Sequence, residues 1–244
     1  MSQQIGGVGY NLAVAAARSA AYRPVSATFI TAVGDDGHAS RIVNSVGDCM
    51  TVESVELAGC RTGQYTCIVR PDGEIDLAIQ DMKIAQKFTP ELVEPKLSKS
   101  NPEAVLVDFN LSELSLEFIT SKMNKSKSDI FIEPTSLFKI SERAYLLRYA
   151  EAAFPNLEEL LTFHSCLVTI SGSSINAAGY DSISLEALEL RKNVDRLETE
   201  IMKICSDIFN TGNGPNYFIV TVAELGAFFG EFKKKTLASY FNLY

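Results

Sequence analysis

Positive charge is in short supply in this chain. Its 244 residues carry 22 Lys and Arg against 30 Asp and Glu, a formal net charge of -8. General binding to nucleic acid phosphates needs a basic footprint, so no nucleic acid polymer is expected as a partner. A small nucleoside or nucleotide ligand is untouched by that argument. Metal-site and disulfide spacings are missing as well. Five cysteines, Cys49, Cys60, Cys67, Cys166 and Cys205, form no CxxC pair and no Cys/His cluster. They read as reduced thiols of an intracellular protein. The two histidines, His38 and His164, stand alone and take no role. No apolar run reaches membrane-spanning length, and no basic segment followed by an apolar core opens the chain. A cytoplasmic protein without membrane contact is the expectation.

What is present looks globular. Hydrophobic residues make up 46% and charged residues 21%, ordinary for a soluble domain. The length suits one large α/β domain, and no repeat or low-complexity linker divides it, so residues 1–244 are read as a single domain. The chain opens on a glycine turn, Gly6, Gly7 and Gly9, leading to an Ala-rich helix over 11–21 with Asn11 at its start. No strand precedes that turn. A buried strand over 27–33 ends in Gly34-Asp35-Asp36-Gly37, and a short helix follows over 40–46.

Two alternating segments flank Pro71-Asp72-Gly73 and predict a β-hairpin over 64–81 that stands off the main sheet. Further strands are expected over 104–110 and 129–136, with an amphipathic helix over 115–126 between them. Residues 156–163 read as a helix with Asn156 as N-cap and Glu159 at the third helical position, close to a capping box. Residues 165–172 fit a strand or a loop. In 184–209, Leu190, Val194, Leu197, Ile201, Ile204 and Ile208 fall on one helix face, suited to packing on a sheet or to a coiled coil. Residues 216–230 read as a strand followed by a glycine-bearing turn, and the short basic run after them as a solvated face or tail. Alternating strands and helices predict an α/β fold with a mainly parallel sheet, helices on both faces and a small hairpin appendage.

Open α/β sheets bind ligands beyond the carboxyl ends of their strands. Gly34-Asp35-Asp36, Asp108 with Asn110, and Glu133 lie at such ends. Each also has a structural explanation, since Asp and Asn form turns and caps. Asn156 and Glu159 fit a helix cap as well as a phosphate or metal site.

Taken in order, these pieces resemble the ribokinase-like, or PfkB, carbohydrate kinases, and within them the pseudouridine kinases. The resemblance is carried by "GGVGYNLAVAAAR" (6–18), "AVGDDG" (32–37), "TGQYTCIVRPDGEIDLAIQDM" (62–82), "VLVDFNL" (105–111), "IEPTSLFK" (132–139), "FPNLEEL" (154–160) and, more weakly, "IVTVAELGAFFG" (219–230). It covers nearly the whole chain. "EPTS…K" followed by "PNLEEL" points to the pseudouridine branch.

The resemblance implies ATP-dependent phosphorylation of the 5′-hydroxyl of pseudouridine, with ATP and Mg2+ as cofactors. Gly6 and Gly7 would admit the sugar and Asn11 would bond ribose hydroxyls. The segment 60–82, with Thr66, would close as a lid, and Asp108 would also face the substrate. Asn156 and Glu159 match the family's N-x-x-E element, with Glu159 on the magnesium side. Thr221 and Gly226 match part of its T-x-G-x-x-G nucleotide turn. The chain departs from the pattern at Ala223, where that turn has its first glycine. It also lacks the G-A-G-D element that supplies the anion hole and the general base, so no catalytic residue carries over. The first strand, with its sugar-binding Asp, is missing too. The resemblance therefore describes a domain trimmed at both ends. Its readings are an impaired kinase, a non-catalytic nucleoside-binding or protein-interaction module, or an incomplete gene product, with a second copy or a partner protein covering exposed sheet.

Overall fold

In the computed structural model, residues 4–19, 26–46, 50–71, 75–169 and 177–232 are described. They form two compact units. The first runs up to Asn101 and takes in Asn110–Ser115. The second comprises Pro102–Phe109 and the chain from Leu116 on.

The first unit opens with helix α1 (Val8–Ser19). It begins three residues before the expected Asn11, because Gly7 at φ +100° makes the turn and its carbonyl accepts the Asn11 N–H at 2.9 Å. Asn11 is thus an exposed residue of the first helical turn rather than its cap. Strand β1 (Thr28–Gly34), helix α2 (His38–Val46) and strand β2 (Thr51–Leu57) follow, and the two strands pair in parallel. The strand expected to be buried is so only at its end, Val33 and Gly34.

Strands β3 (Gln64–Val69) and β4 (Ile75–Asp81) form the expected antiparallel hairpin, a two-stranded sheet of its own. Residues 72–74 of its turn lie outside the described residues. Every β3 residue is exposed. Two short helices, α3 (Lys83–Gln86) and α4 (Pro90–Ser100), complete this part. Pro90 suits the first helical position, where its missing N–H costs nothing.

The second unit is built on one sheet of strand order β5-β6-β7-β8-β9. Strand β5 (Ala104–Asp108) leads through helix α5 (Glu113–Ser126) to β6 (Asp129–Glu133), which pairs with it in parallel. Helix α6 (Leu137–Arg143) and a 3-10 segment, Ala144–Tyr149, return the chain to the short strand β7 (Ala152–Ala153). Helix α7 (Leu157–His164) follows, then α8 (Ala177–Arg191) and α9 (Val194–Asn210), and β8 (Tyr217–Thr221) closes the parallel set. Strand β9 (Ala227–Glu231) then turns back antiparallel to β8. The core is apolar and large: Phe109, Phe163, Phe218, Phe228, Leu146 and Leu157 are each fully buried.

Three expectations are corrected here. Ser165–Thr169 is neither strand nor loop but a π-helical extension of α7, and residues 170–172 lie outside the described set. The periodic run 184–209 is two helices. Asn193 ends the run by capping α9, its side chain accepting the Arg196 N–H at 3.0 Å. Leu190 therefore belongs to α8, and Val194 is 40% exposed. Beyond the glycine-bearing turn there is a further strand, β9. The basic run after it lies outside the described residues. Among the described residues no helix is long and apolar enough to cross a membrane, and Cys60, Cys67, Cys166 and Cys205 are free thiols.

Candidate functional site

Four parallel strands bring their carboxyl ends to one edge of the second unit. Asp108 closes β5 and pairs in register with Glu133, which closes β6. Register partners on parallel strands point to the same face, so two carboxylates stand side by side. The ladder runs one residue further, as Phe109 N–H donates to the Glu133 carbonyl at 3.0 Å. Beyond Pro134, Thr135 adopts φ +60°, a conformation β-branched residues rarely take. Its backbone N–H bonds the Glu133 carboxylate. Its own hydroxyl is buried without a partner.

Asn156 caps α7. Its side chain accepts the Glu159 N–H, and a Glu159 carboxylate oxygen accepts the Asn156 N–H, both at 2.9 Å. That is a complete capping box, satisfying two donors that a helix start leaves orphaned. The same corner is tied to β8: Thr221 N–H donates to the Pro155 carbonyl at 3.0 Å, and Asn156 bridges to Thr221. The structure thus gathers Asp108, Asn156, Glu159 and Thr221 at one edge, with Glu133 among them.

The electrostatics follow from this crowding. Burial, then the charge of Glu159, then that of Asp108 push the Glu133 carboxyl up to about 7. Burial is also the main reason that Glu159 sits above the usual carboxylate range, against the hydrogen bond from Asn156. Two cations of α6 lie near the end of β5: Lys139 is within electrostatic reach of Asp108, and Arg143 donates to the Phe109 carbonyl. Burial and the neighbouring Arg143 hold the Lys139 amine below its ordinary value, while Asp108 acts the other way.

Past Thr221 the chain makes a tight turn. Val222 N–H donates to the Gly226 carbonyl at 2.8 Å, and Gly226 N–H to the Ala223 carbonyl at 3.3 Å. Gly226 takes φ +97° and Ala223 takes φ +44°. The alanine that stands in place of a glycine therefore keeps a glycine-type backbone, with a methyl group added.

The remaining predicted residues lie in the first unit. Gly6 and Gly7 are exposed beside α1, and Thr66 is exposed on β3. The "GDDG" segment has a structural task. Asp36 accepts the Thr62 N–H at 2.8 Å and the Thr62 hydroxyl at 2.7 Å, while that hydroxyl accepts the Gly34 N–H at 2.9 Å. Burial opposes the Asp36 carboxylate, but the Thr62 hydrogen bonds outweigh it and hold the carboxyl below its usual range. Asp35 accepts the Gly59 N–H at 2.9 Å. The end of β1 is knotted to the loop that begins the hairpin. A Cβ at Gly34 would lie 2.3 Å from the Cys60 carbonyl oxygen, so only glycine fits.

The model of the pfkB family of carbohydrate kinases matches residues 1–173. The chain belongs to that family. A curated relative of this pfkB chain, the uncharacterized sugar kinase YeiI of Escherichia coli, is 26% identical over 163 residues, covering 64% of the chain and 42% of the relative. The chain thus spans less than half the length of that relative. An adenosine kinase from Schistosoma mansoni, solved in complex with 2-fluoroadenosine, aligns with TM-score 0.69 at 11% identity over 97% of this chain and 65% of that one. A ribokinase from Arabidopsis thaliana, solved with ribose and ATP, aligns with TM-score 0.63 at 17% identity over 97% and 66%. These likenesses establish the ribokinase-like α/β fold with its mostly parallel sheet.

Ribokinase-like pfkB kinases bind ATP, typically with Mg2+. Among the described residues no group of three or more His, Cys, Asp or Glu side chains is arranged to hold a metal ion directly. The donors present fit a hard cation that keeps most of its waters at one or two carboxylates, which is the habit of magnesium. Sequence reasoning missed Lys139 as part of this edge, and Arg143 entirely. Their i, i+4 spacing on a helix was the available signal, but only the folded structure shows that both leave solvent.

Proposed function

We propose that this pfkB-family chain carries the phosphoryl-transfer edge of a kinase that moves the γ-phosphoryl group of ATP to the 5′-hydroxyl of pseudouridine. The observation that carries the reading is the Asn156–Glu159 capping box, bridged to Thr221 at the carboxyl edge of the sheet beside Asp108 and Glu133. Phosphoryl transfer asks the protein mainly for position and electrostatic stabilisation. Magnesium, when bound, neutralises charge on the phosphate oxygens, and Glu159, with Glu133 beside it, would hold it through water. Thr221 and Gly226, with Asn156, serve the nucleotide. Gly6, Gly7, Asn11, Thr66 and Asp108 are assigned to the acceptor. "EPTS…K" and "PNLEEL" support pseudouridine as that acceptor.

A second reading is a nucleoside-binding or protein-interaction module without transfer. It is favoured by the state of Glu159, which is 5% exposed and hydrogen-bonded to Asn156 N–H, a task that a helix cap alone explains. The test is ADP release by the folded chain with Mg-ATP, with and without pseudouridine. Pseudouridine-dependent turnover that falls in Glu159→Gln supports the kinase. Calorimetric binding of pseudouridine without turnover supports the module.

A further inference from the structure

Cys60 lies just ahead of β3, and Lys87 closes α3 just after β4, so the chain between them holds both strands of the hairpin. Their side chains meet. The Lys87 amine donates to the Cys60 sulfur at 3.3 Å, while the Cys60 S–H donates to the Ala58 carbonyl at 3.7 Å. Both backbones are anchored. Cys60 N–H donates to the Leu57 carbonyl at 3.2 Å, between the Asp35 bond to Gly59 and the Asp36 bond to Thr62. Lys87 N–H donates to the Ile84 carbonyl at 3.0 Å. The next residue, Phe88, is 3% exposed, and its carbonyl accepts the Ser115 hydroxyl.

Lys96, Lys99 and Lys192 set their amines against carboxylates. At Lys87 the acceptor is a sulfur, which accepts only weakly. The contact does little for stability, but its chemistry is distinctive. A thiol beside a cation and open to solvent is the setting in which sulfur is oxidised. Cys60 is half-buried and Lys87 is exposed. Among the described residues the other thiols differ. Cys205 is fully buried, and burial pushes the Cys166 thiol up to about 11, so both stay inert. Cys67 is exposed on β3 and measures the effect of access alone.

We propose that Cys60 and Lys87 form a peroxide-driven sulfur–nitrogen bond that clasps the two ends of the hairpin. A hydroperoxide is the oxidant. The sulfur gives two electrons to its O–O bond, which breaks. One oxygen stays on sulfur as a sulfenic acid, and the other leaves as water with the thiol proton. The Lys87 amine, its ammonium proton lost to solvent, attacks that sulfur. The S–N bond forms, the S–O bond breaks, and hydroxide leaves as water with a proton from the nitrogen. Two equivalents of a small thiol restore the Cys60 thiol and the Lys87 amine and leave as a disulfide. The bond closes a loop around the hairpin and removes freedom from its base. This inference stands apart from the kinase reading.

The test treats the folded chain with hydrogen peroxide, blocks the remaining thiols with iodoacetamide and maps the peptides by mass spectrometry. The expected product is a linked pair of peptides carrying Cys60 and Lys87. It is lighter by two hydrogens than its parts together, and dithiothreitol separates it. Cys60 should lose its thiol several times faster than Cys67. Lys87→Arg keeps a cation at the sulfur but supplies no attacking amine. In that variant Cys60 should still oxidise, and should end as a sulfenic acid that dimedone traps. Cys60→Ser should abolish the linked pair. A dimedone-trapped Cys60 with Lys87 unmodified in the parent chain overturns the proposal. A disulfide between Cys60 and Cys67 overturns it too, as do equal rates of thiol loss at the two cysteines with no linked pair.

Discussion

The two units invest their apolar residues differently. The largest fully buried side chains, among them Phe109, Phe163, Phe218, Phe228 and Leu116, all belong to the second unit. In the first unit, Tyr65, Ile68, Val69, Leu77 and Ile79 of the hairpin are each at least 50% exposed. Burial of that scale is the main favourable term in folding, so the second unit has the means to be rigid. A two-stranded hairpin with neither face covered is marginal by itself. The lesson is a division of labour. The acidic edge sits on this larger core, with Asp108 and Glu133 at paired strand ends and Glu159 held by its capping box at the start of α7. The hairpin belongs to the low-stability end of the molecule, from which moving elements are drawn.

The strongest way to break this contrast is a pair of substitutions. Phe218→Ala, at a fully buried site, should cost about 3–5 kcal/mol in urea denaturation. Ile79→Ser, on the exposed hairpin, should change stability by less than about 0.5 kcal/mol. Equal costs would mean that the hairpin is packed in solution and the contrast is false.

A smaller effect tests the knot at the hairpin's base. Gly34→Ala forces a methyl group against the backbone of Cys60 and Thr62, at 2.3 and 2.6 Å. It should cost about 1–3 kcal/mol and speed hydrogen exchange at residues 59–63. Unchanged exchange there would show that the Asp36–Thr62 hydrogen bonds do not anchor the loop.

The smallest effect sharpens the other side. Glu133 has its carboxyl raised from 4.5 to about 7, so the folded chain keeps a proton that the unfolded chain has lost. Its ionisation therefore opposes folding. The penalty is absent below about 4.5 and complete above about 7. Partial exposure screens it to roughly 1 kcal/mol. Glu133→Gln should raise the melting temperature by a few degrees at pH 8 and leave it unchanged at pH 4.5. A gain independent of pH would remove the crowded carboxylates from the account.

Features written in short stretches of chain were legible in the sequence. The Asn156–Glu159 box depends on a three-residue spacing and one backbone geometry. The hairpin follows from alternation around Pro71-Asp72-Gly73. The end of the long helix did not show, because the apolar period runs unbroken from Leu190 to Val194 while the Asn193 side chain caps a new helix. Strand β9 was hidden by Gly230, which reads as turn. It is glycine because a Cβ would lie 2.7 Å from the Phe232 ring and 2.9 Å from the Phe228 ring. At the candidate site, the carboxylates were visible as strand ends. Lys139 and Arg143 were not, since a cation on a helix ordinarily faces water, and their burial is decided by residues distant in sequence.

The bare faces of the hairpin have a consequence for its accuracy. Where one face of a sheet is buried, a slipped register drags apolar groups into water and is rejected. On β3 and β4 no such proofreading operates. The pairing of Thr66 with Ile79 is kept by cross-strand hydrogen bonds and by the irregularity between Ile68 and Val69. A slip by two residues would preserve every face and set Thr66 opposite Leu77. Among the described residues, the hairpin's reading frame, and with it the residue it offers at any point, rests on backbone pairing between its own two strands.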